Sequence, residues 1–422
     1  MNHSNRVFIT GRSALTSTGA NSDSTWDALT QGTSGIAEIE QWDLSQWACR
    51  LGGELKNIQP AKMLPDRKLV KVISQQDVIG INAAVQAVEH SQMISYRDSL
   101  SCAASFNEQT AVYVGSPGNK YFQQYDFLSL MAKTQGNMQD FAKQLFDEVH
   151  PTWLLRILPN NVLAYAGITY GFKGPNHNIT NHAVSGMQAL LEAYHAIRSG
   201  QAERAVVIAY DMGIEPQAMF YYEQLGVLSH QHLKPFDANH NGTILANGAA
   251  ALVLESEASV HARSAVCYGE IVGGGCASEA EGLFALADDG QHLANLLSQT
   301  LDVNQLQPED IGMVVAHGNG NVKSDDSEAA AINRVLPQTP VTAFKWSMGH
   351  TLTASGLLDA VLTTYALNAQ AVPGIANLEQ LASNCVDLAA STTAQALNAP
   401  HALIINRGFA SMNACVVIKA CD

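Results

Sequence analysis

The chain has 422 residues, 47% hydrophobic and 14% charged, with a net charge of −15. This suits a large buried core, in two domains or in one domain of two similar halves. The negative charge argues against general nucleic-acid binding, and no apolar run approaches the ~20 residues that span a bilayer. Met1 to Thr10 lacks a signal-peptide core, which points to the cytoplasm. The seven cysteines are scattered without CxxC pairs and read as reduced, buried thiols.

In chain order, Arg6-Val-Phe-Ile-Thr10 reads as a strand. A helix follows from Thr25, capped by Thr25 or Ser24, and Gly32-Thr-Ser-Gly-Ile36 closes it. Arg67, Lys68 and Lys71 form the clearest basic cluster, readable as a docking patch for an acidic partner or as a solvated helix start. Ala111-Val-Tyr-Val-Gly115 is a buried strand. Residues 119–160 are aromatic and less regular, with Tyr121, Phe122, Tyr125, Phe127, Met131, Met138 and Phe141. Arg204 to Asp211 is a continuous apolar strand of the kind covered on both faces. Further strands are expected at Val266–Val272, Ile311–Ala316, Ala402–Ile405 and Ala414–Ile418, which with the intervening helices imply α/β layers.

Between these lies Gly174-Pro-Asn-His-Asn-Ile-Thr-Asn-His-Ala183-Val-Ser-Gly-Met187. A short strand, Asn178 to Thr180, turns sharply into a helix whose stripe is Val184, Met187, Leu190, Leu191, Tyr194 and Ile197. The helix stops at Arg198-Ser-Gly200. Such a turn exposes a side chain at a helix start, whose free N–H groups favour negative charge. It is a natural seat for a nucleophile, yet the residue there is Ala183. Two histidines also sit in glycine-flanked turns after strands, His317 in Ala316-His-Gly-Asn-Gly-Asn321 and His350 in Lys345-Trp-Ser-Met-Gly-His350. Glycine beside them lets a ligand approach closely.

Together these segments resemble the β-ketoacyl-acyl carrier protein synthases, condensing enzymes of the thiolase fold, from Val7 to Lys419. The family places its cysteine nucleophile in Thr-Ala-Cys-x-Ser/Thr-Gly, where this chain has Asn181-His-Ala-Val-Ser-Gly186. The spacing of His317, Lys345 and His350 matches the family's active-site set, with Asp325 and Glu328 after the first histidine and Asp359 fourteen positions beyond the lysine. The resemblance implies an α/β, five-layered α-β-α-β-α fold of two similar halves, 1–255 and 256–422. An insertion at about 119–160 would cap the acyl pocket and help form a dimer interface.

It also implies decarboxylative Claisen condensation of malonyl-carrier protein with an acyl chain, in fatty-acid or in polyketide- or polyene-type synthesis. Two neutral imidazoles would donate to the enolate oxygen. Lys345 would add positive charge and Asp359 would compensate it. The backbone N–H groups of residue 183 and Phe409 would form the oxyanion hole, and Phe409 would gate the pantetheine channel. Asn319 and Asn321 stand where the family has threonines touching pantetheine. The family's Ser-Phe-Gly-Phe-Gly-Gly-Thr-Asn is matched at Gly408, Phe409 and Asn413, but Arg407 replaces the first phenylalanine and Ala410-Ser411 the glycine pair. His240 and Asn241 replace an Arg-Asp pair, so an ion pair is expected to be lost. Arg67, Lys68 and Lys71 would dock acyl carrier protein. No metal and no tightly bound organic cofactor is expected. The partner is a second copy or a paralogous synthase subunit.

The alanine leaves three readings open, the first preferred. The chain is a Cys-to-Ala variant of an active synthase, a naturally non-acylating subunit like a chain-length factor, or a malonyl decarboxylase making a starter unit. Unrelated chemistry lacks its motifs: no Gly-x-Ser-x-Gly elbow makes Ser185 a nucleophile, and there is no His-Glu-x-x-His, Walker or dinucleotide loop.

Overall fold

The computed structural model describes residues 6–118 and 120–421, except for the side chains of 121–124. Ten strands build the core: β1 Val7–Leu15, β2 Thr110–Gly115, β3 Asn176–Ile179, β4 Arg204–Met212, β5 Asn247–Ser256, β6 Gly269–Ser278, β7 Ile311–Val315, β8 Val341–Thr342, β9 His401–Gly408 and β10 Met412–Lys419. They form one ladder in the order β8-β7-β9-β10-β6-β1-β5-β4-β2-β3. Its middle link is short, Val7–Ile9 of β1 against 269–271 of β6. The ladder is therefore two five-stranded sheets meeting at a corner.

The two sheets share one plan. In each, three outer strands are parallel and the two nearest the corner are antiparallel. Numbered in chain order within its half, each sheet runs third, second, fourth, fifth, first. No sequence repeat announces this, because β-pairing needs only apolar alternation and register, which many sequences satisfy.

Helices α1 Gln75–Ser91, α2 Ser185–Arg198, α3 Gln291–Val303, α4 Val322–Val335 and α5 Ser355–Asn368 complete the layers. Successive residues of β4 point to opposite faces: Tyr210 lies against Gly80 of α1, and Ala209 against Gly186 of α2. In β6, Gly274 meets Leu191 of α2, while Gly275 meets Leu296 of α3. Helix α5 is buried along Ser355–Leu367, as a helix apolar all round must be. The order α1, first sheet, α2 with α5, second sheet, α3 with α4 is the expected five-layered α-β-α-β-α fold.

Three local expectations change. The first helix is Ser22–Thr30, capped by Asn21 in a reciprocal box with Ser24, so neither Ser24 nor Thr25 is the cap. The strand expected at Val266–Val272 runs instead from Gly269 to Ser278. Its Gly273-Gly-Gly275 looks like a breaker, but it lets α2 and α3 approach the sheet closely. Arg67–Lys71 is a 3₁₀ turn capped by Asp66.

The 119–160 region folds as helices Tyr121–Lys133, Met138–Glu148 and Trp153–Ile157. Phe127 packs edge-on against Trp153 with ring centroids 4.3 Å apart. Tyr121 and Phe122, counted above in this aromatic region, have side chains outside the described residues. Leu128, Met138, Phe146, Leu154 and Leu155 are exposed. No helix among the described residues is long and apolar enough to cross a membrane.

Candidate active site

Strand β3 ends at Ile179 and helix α2 begins at Ser185. The turn between them is held by Ser185, whose Oγ accepts the Asn181 N–H and donates to the His182 carbonyl, both at 2.7 Å. The serine is thus a structural pin. His182 takes a left-handed φ of 50°, and its ring stacks on Tyr222 and Phe409. Ala183 behind it is fully buried.

Beside the turn opens a cavity of about 590 Å³. His317, His350, Asn319, Asn321, Gly408 and Phe409 line it together. His182 and Tyr222 line it too, whereas Ala183 does not. No described residue of 119–160 lines it. Exposed Arg67, Lys68 and Lys71 also lie outside the lining.

His182 is the residue that sequence reasoning undervalued. Its ring stacks on Phe409, centroids 4.4 Å apart and planes 15° apart. Its Nδ1 accepts the Phe409 N–H at 3.3 Å, and its Nε2 lies 2.6 Å from the Tyr222 hydroxyl. An accepting Nδ1 puts the proton on Nε2, which donates to Tyr222. One of the two N–H groups expected in the oxyanion hole is therefore already satisfied inside the chain. Gly408 packs against the same turn: a Cβ there would lie in ordinary contact, 3.4 Å from both the Ala183 nitrogen and His182 Nδ1.

The other two imidazoles face each other, centroids 5.2 Å apart and rings nearly perpendicular. His317 Nδ1 accepts the Arg407 N–H at 3.3 Å, which leaves the proton on Nε2. The His317 turn hangs on Glu328, whose carboxylate accepts the N–H groups of His317 at 2.7 Å and Gly318 at 2.9 Å. Asp325 accepts the Gly320 and Phe236 N–H groups, so the Pro235-Phe-Asp237 segment braces the same loop. Gly349 reaches φ 84° just before His350, and the buried Nδ1 of His350 has no hydrogen-bond partner among the described residues. Lys345 and Asp359, both buried, pair at 2.9 Å behind the histidines.

His240 does not leave the expected gap. Its Nδ1 lies 3.1 Å from Asp325, so an ion pair forms there when the imidazole is protonated. Burial pushes His240 down, but the Asp325 carboxylate carries it above its ordinary value. The Phe409 loop is likewise rebuilt. Ala410 and Ser411 sit at φ 61° and 56°, a conformation costing about 1–2 kcal/mol for each residue with a β-carbon. Arg407 is buried and pairs with Glu279 at 2.8 Å. Glu279 carries no sequence signal; only proximity in the fold reveals it.

Burial holds all three cavity histidines below their ordinary range, His182 at about 4. Lys345 and the neighbouring imidazoles push His317 and His350 further down. Burial pushes Glu328 up to about 7, against Arg407 and its two N–H donors. A neutral histidine contributes stability that is complete above pH 6.5 and declines as pH falls, for His182 down to about 4. Glu328 acts oppositely, its contribution falling as pH rises toward about 7. The comparison with His182→Gln isolates the first effect. Between pH 6.5 and 4.5 the parent should lose more stability than the variant in urea titrations, by up to about 1.4 kcal/mol per pH unit. Parallel profiles would contradict a neutral, half-buried His182.

Chemically, the cavity offers neutral N–H donors with a lysine charge behind them, suited to an oxygen that gains negative charge. It offers no nucleophile at residue 183. Among the described residues no group of three or more His, Cys, Asp or Glu is placed to hold a metal.

The β-ketoacyl synthase N-terminal domain model matches residues 4–259, and the C-terminal domain model matches 268–379. The chain belongs to the β-ketoacyl synthase family. Its function is of the β-ketoacyl synthase type, which serves fatty-acid or polyketide synthesis, and the family is one of condensing acyltransferases. The 3-oxoacyl-(acyl-carrier-protein) synthase 2 of Synechocystis sp. is 26% identical over 431 residues, covering 98% of each chain. The solved ishigamide ketosynthase/chain length factor has a TM-score of 0.88 at 21% identity, covering 99% of this chain and 100% of the other. A type II polyketide ketosynthase in complex with its acyl-carrier protein has a TM-score of 0.85 at 20% identity, covering both chains fully. At these identities the two solved structures speak for the fold.

Proposed function

We propose that this β-ketoacyl synthase-type chain takes no acyl group itself and serves as the non-acylating partner of a cysteine-bearing paralogue. One observation carries the reading: beside a fully buried residue 183, the His182 imidazole occupies the Phe409 N–H, one of the two donors that an acylating site would use. A Cys-to-Ala change would account for position 183 alone. It would not account for the imidazole at 182, the guanidinium at 407 or the β-carbons at 410 and 411.

Acyl carrier protein delivers the substrates as pantetheine thioesters, with Asn319, Asn321 and Gly408 along their channel and Arg67, Lys68 and Lys71 as the docking cations. No metal or tightly bound organic cofactor takes part. The exposed apolar residues Leu128, Met138, Phe146, Leu154 and Leu155 form part of the surface the paralogue covers. A second reading, malonyl decarboxylation, is favoured by His317 and His350, which line the cavity with Lys345 behind them.

Co-expression with a cysteine-bearing synthase of the same organism tests the main reading by native mass spectrometry. The expected species is a one-to-one heterodimer that gains a single acyl group on the paralogue's cysteine. A homodimer with no exchange into the paralogue would contradict it.

A further inference from the structure

Arg407 lies where the family carries a phenylalanine, and its guanidinium is fully engaged in one direction. It donates to Glu279 at 2.8 Å, Asn413 Oδ1 at 3.0 Å, the Ser324 carbonyl at 2.9 Å and Ser327 Oγ at 3.3 Å. Asn413 donates to the same Glu279 oxygen at 2.7 Å. The other Glu279 oxygen accepts the Ala287 N–H at 2.7 Å. One carboxylate thus ties both ends of the 407–413 loop to the segment 279–288.

The middle of the loop is tied as well. The Ala410 N–H donates to the Leu283 carbonyl at 2.7 Å, and the Glu279 N–H to the Ser411 carbonyl at 2.9 Å. Ser411 Oγ lies 2.9 Å from the Gly282 carbonyl and 2.8 Å from that of Ala285. Phe284 then meets Phe409 edge-on, centroids 5.1 Å apart. A glycine pair would leave such a loop free to swing, whereas here every residue from 407 to 413 except Gly408 and Met412 makes a polar or ring contact named above.

We propose that Arg407 is a positioning residue. With Glu279 it locks the loop that carries Phe409 to the 279–288 segment, so the route from the cavity to residue 183 stays shut. This rests on the non-acylating reading above.

The test uses the full chain with Ala183→Cys as a reporter thiol. Alkylation by iodoacetamide is followed by peptide mass spectrometry, which resolves the reporter from the seven native cysteines. In the parent reporter chain, the introduced thiol should react at least about tenfold more slowly than Cys102, which is exposed and not buried as the sequence suggested. Adding Arg407→Phe should raise the reporter's rate about tenfold or more, and Arg407→Lys, which keeps the cation, should restore slow reaction. A merely structural arginine would change the melting temperature without changing that rate. Fast alkylation in the parent reporter chain, or an unchanged rate with Arg407→Phe, would overturn the lock. Should Arg407→Phe not fold, hydrogen exchange of the unaltered chain decides. Slow exchange at the Ala410 amide supports the lock, and exchange at the rate of an open loop sinks it. Open-loop exchange without acylation would refute the lock alone, whereas acylation of the reporter thiol from carrier protein would refute the non-acylating reading.

Discussion

Asp359→Ala is expected to destabilise the fold by about 3–5 kcal/mol, the largest effect of any single substitution in the site. Lys345 and Asp359 are each 1% exposed and 2.9 Å apart, with Asp359 in the buried stretch Ser355–Leu367 of helix α5. Burial alone pushes the carboxyl up, and Lys345 opposes that shift. Truncating the carboxylate strands an ammonium group in the protein interior, a far heavier cost than the loss of an exposed ion pair, worth about 0–1 kcal/mol. Urea unfolding midpoints measure the loss. The pair Lys345→Met with Asp359→Leu removes both charges and should recover most of it. A loss below about 1 kcal/mol for Asp359→Ala would show that the lysine has another partner.

Malonyl-carrier protein is expected to lose carbon dioxide on this chain, and His317→Ala to slow that loss by about 10²–10³-fold. As the bond to the carboxylate breaks, carbon dioxide leaves and its electron pair moves to the thioester oxygen; water then protonates the enolate carbon to give the acetyl thioester. The Nε2 proton of His317 is fixed in place by the Arg407 N–H on Nδ1 and held by a neutral ring. It can donate where that charge develops without a change of protonation. His350, whose Nδ1 has no partner among the described residues to fix its tautomer, should contribute a smaller factor. The appearance of acetyl-carrier protein by mass is the readout. Equal rates for parent and His317→Ala would remove the histidine from the enolate site.

The sequence makes the strands and the site motifs legible for physical reasons. Continuous Val/Ile/Ala runs such as Arg204–Met212 have no use outside a covered sheet. The His-Gly pairs mark turns where backbone and ligand come close. The equivalence of the two halves lies in strand order, which no residue pattern encodes. The short strand Val341–Thr342 is too brief to stand out. Partnerships across long separations were also hidden: His240 with Asp325 is 85 positions apart, and Arg407 with Glu279 is 128. At both places a departure from the family pattern was visible as a substitution, while its compensation lay elsewhere in the chain. His182 was readable as an unusual neighbour of Ala183. Its stacking on Phe409 and its hold on the Phe409 N–H depend on a left-handed φ that only the folded turn displays.

The most direct measurement is the intact mass of the Ala183→Cys chain after mixing with acyl-carrier protein, beside a cysteine-bearing 3-oxoacyl-(acyl-carrier-protein) synthase as control. With residue 183 buried and the Phe409 N–H taken by His182, the variant should keep its unmodified mass while the control gains one acyl group. If the variant gains an acyl group and releases an extended β-ketoacyl product when given malonyl-carrier protein, cysteine is the functional residue at 183 and the non-acylating reading falls.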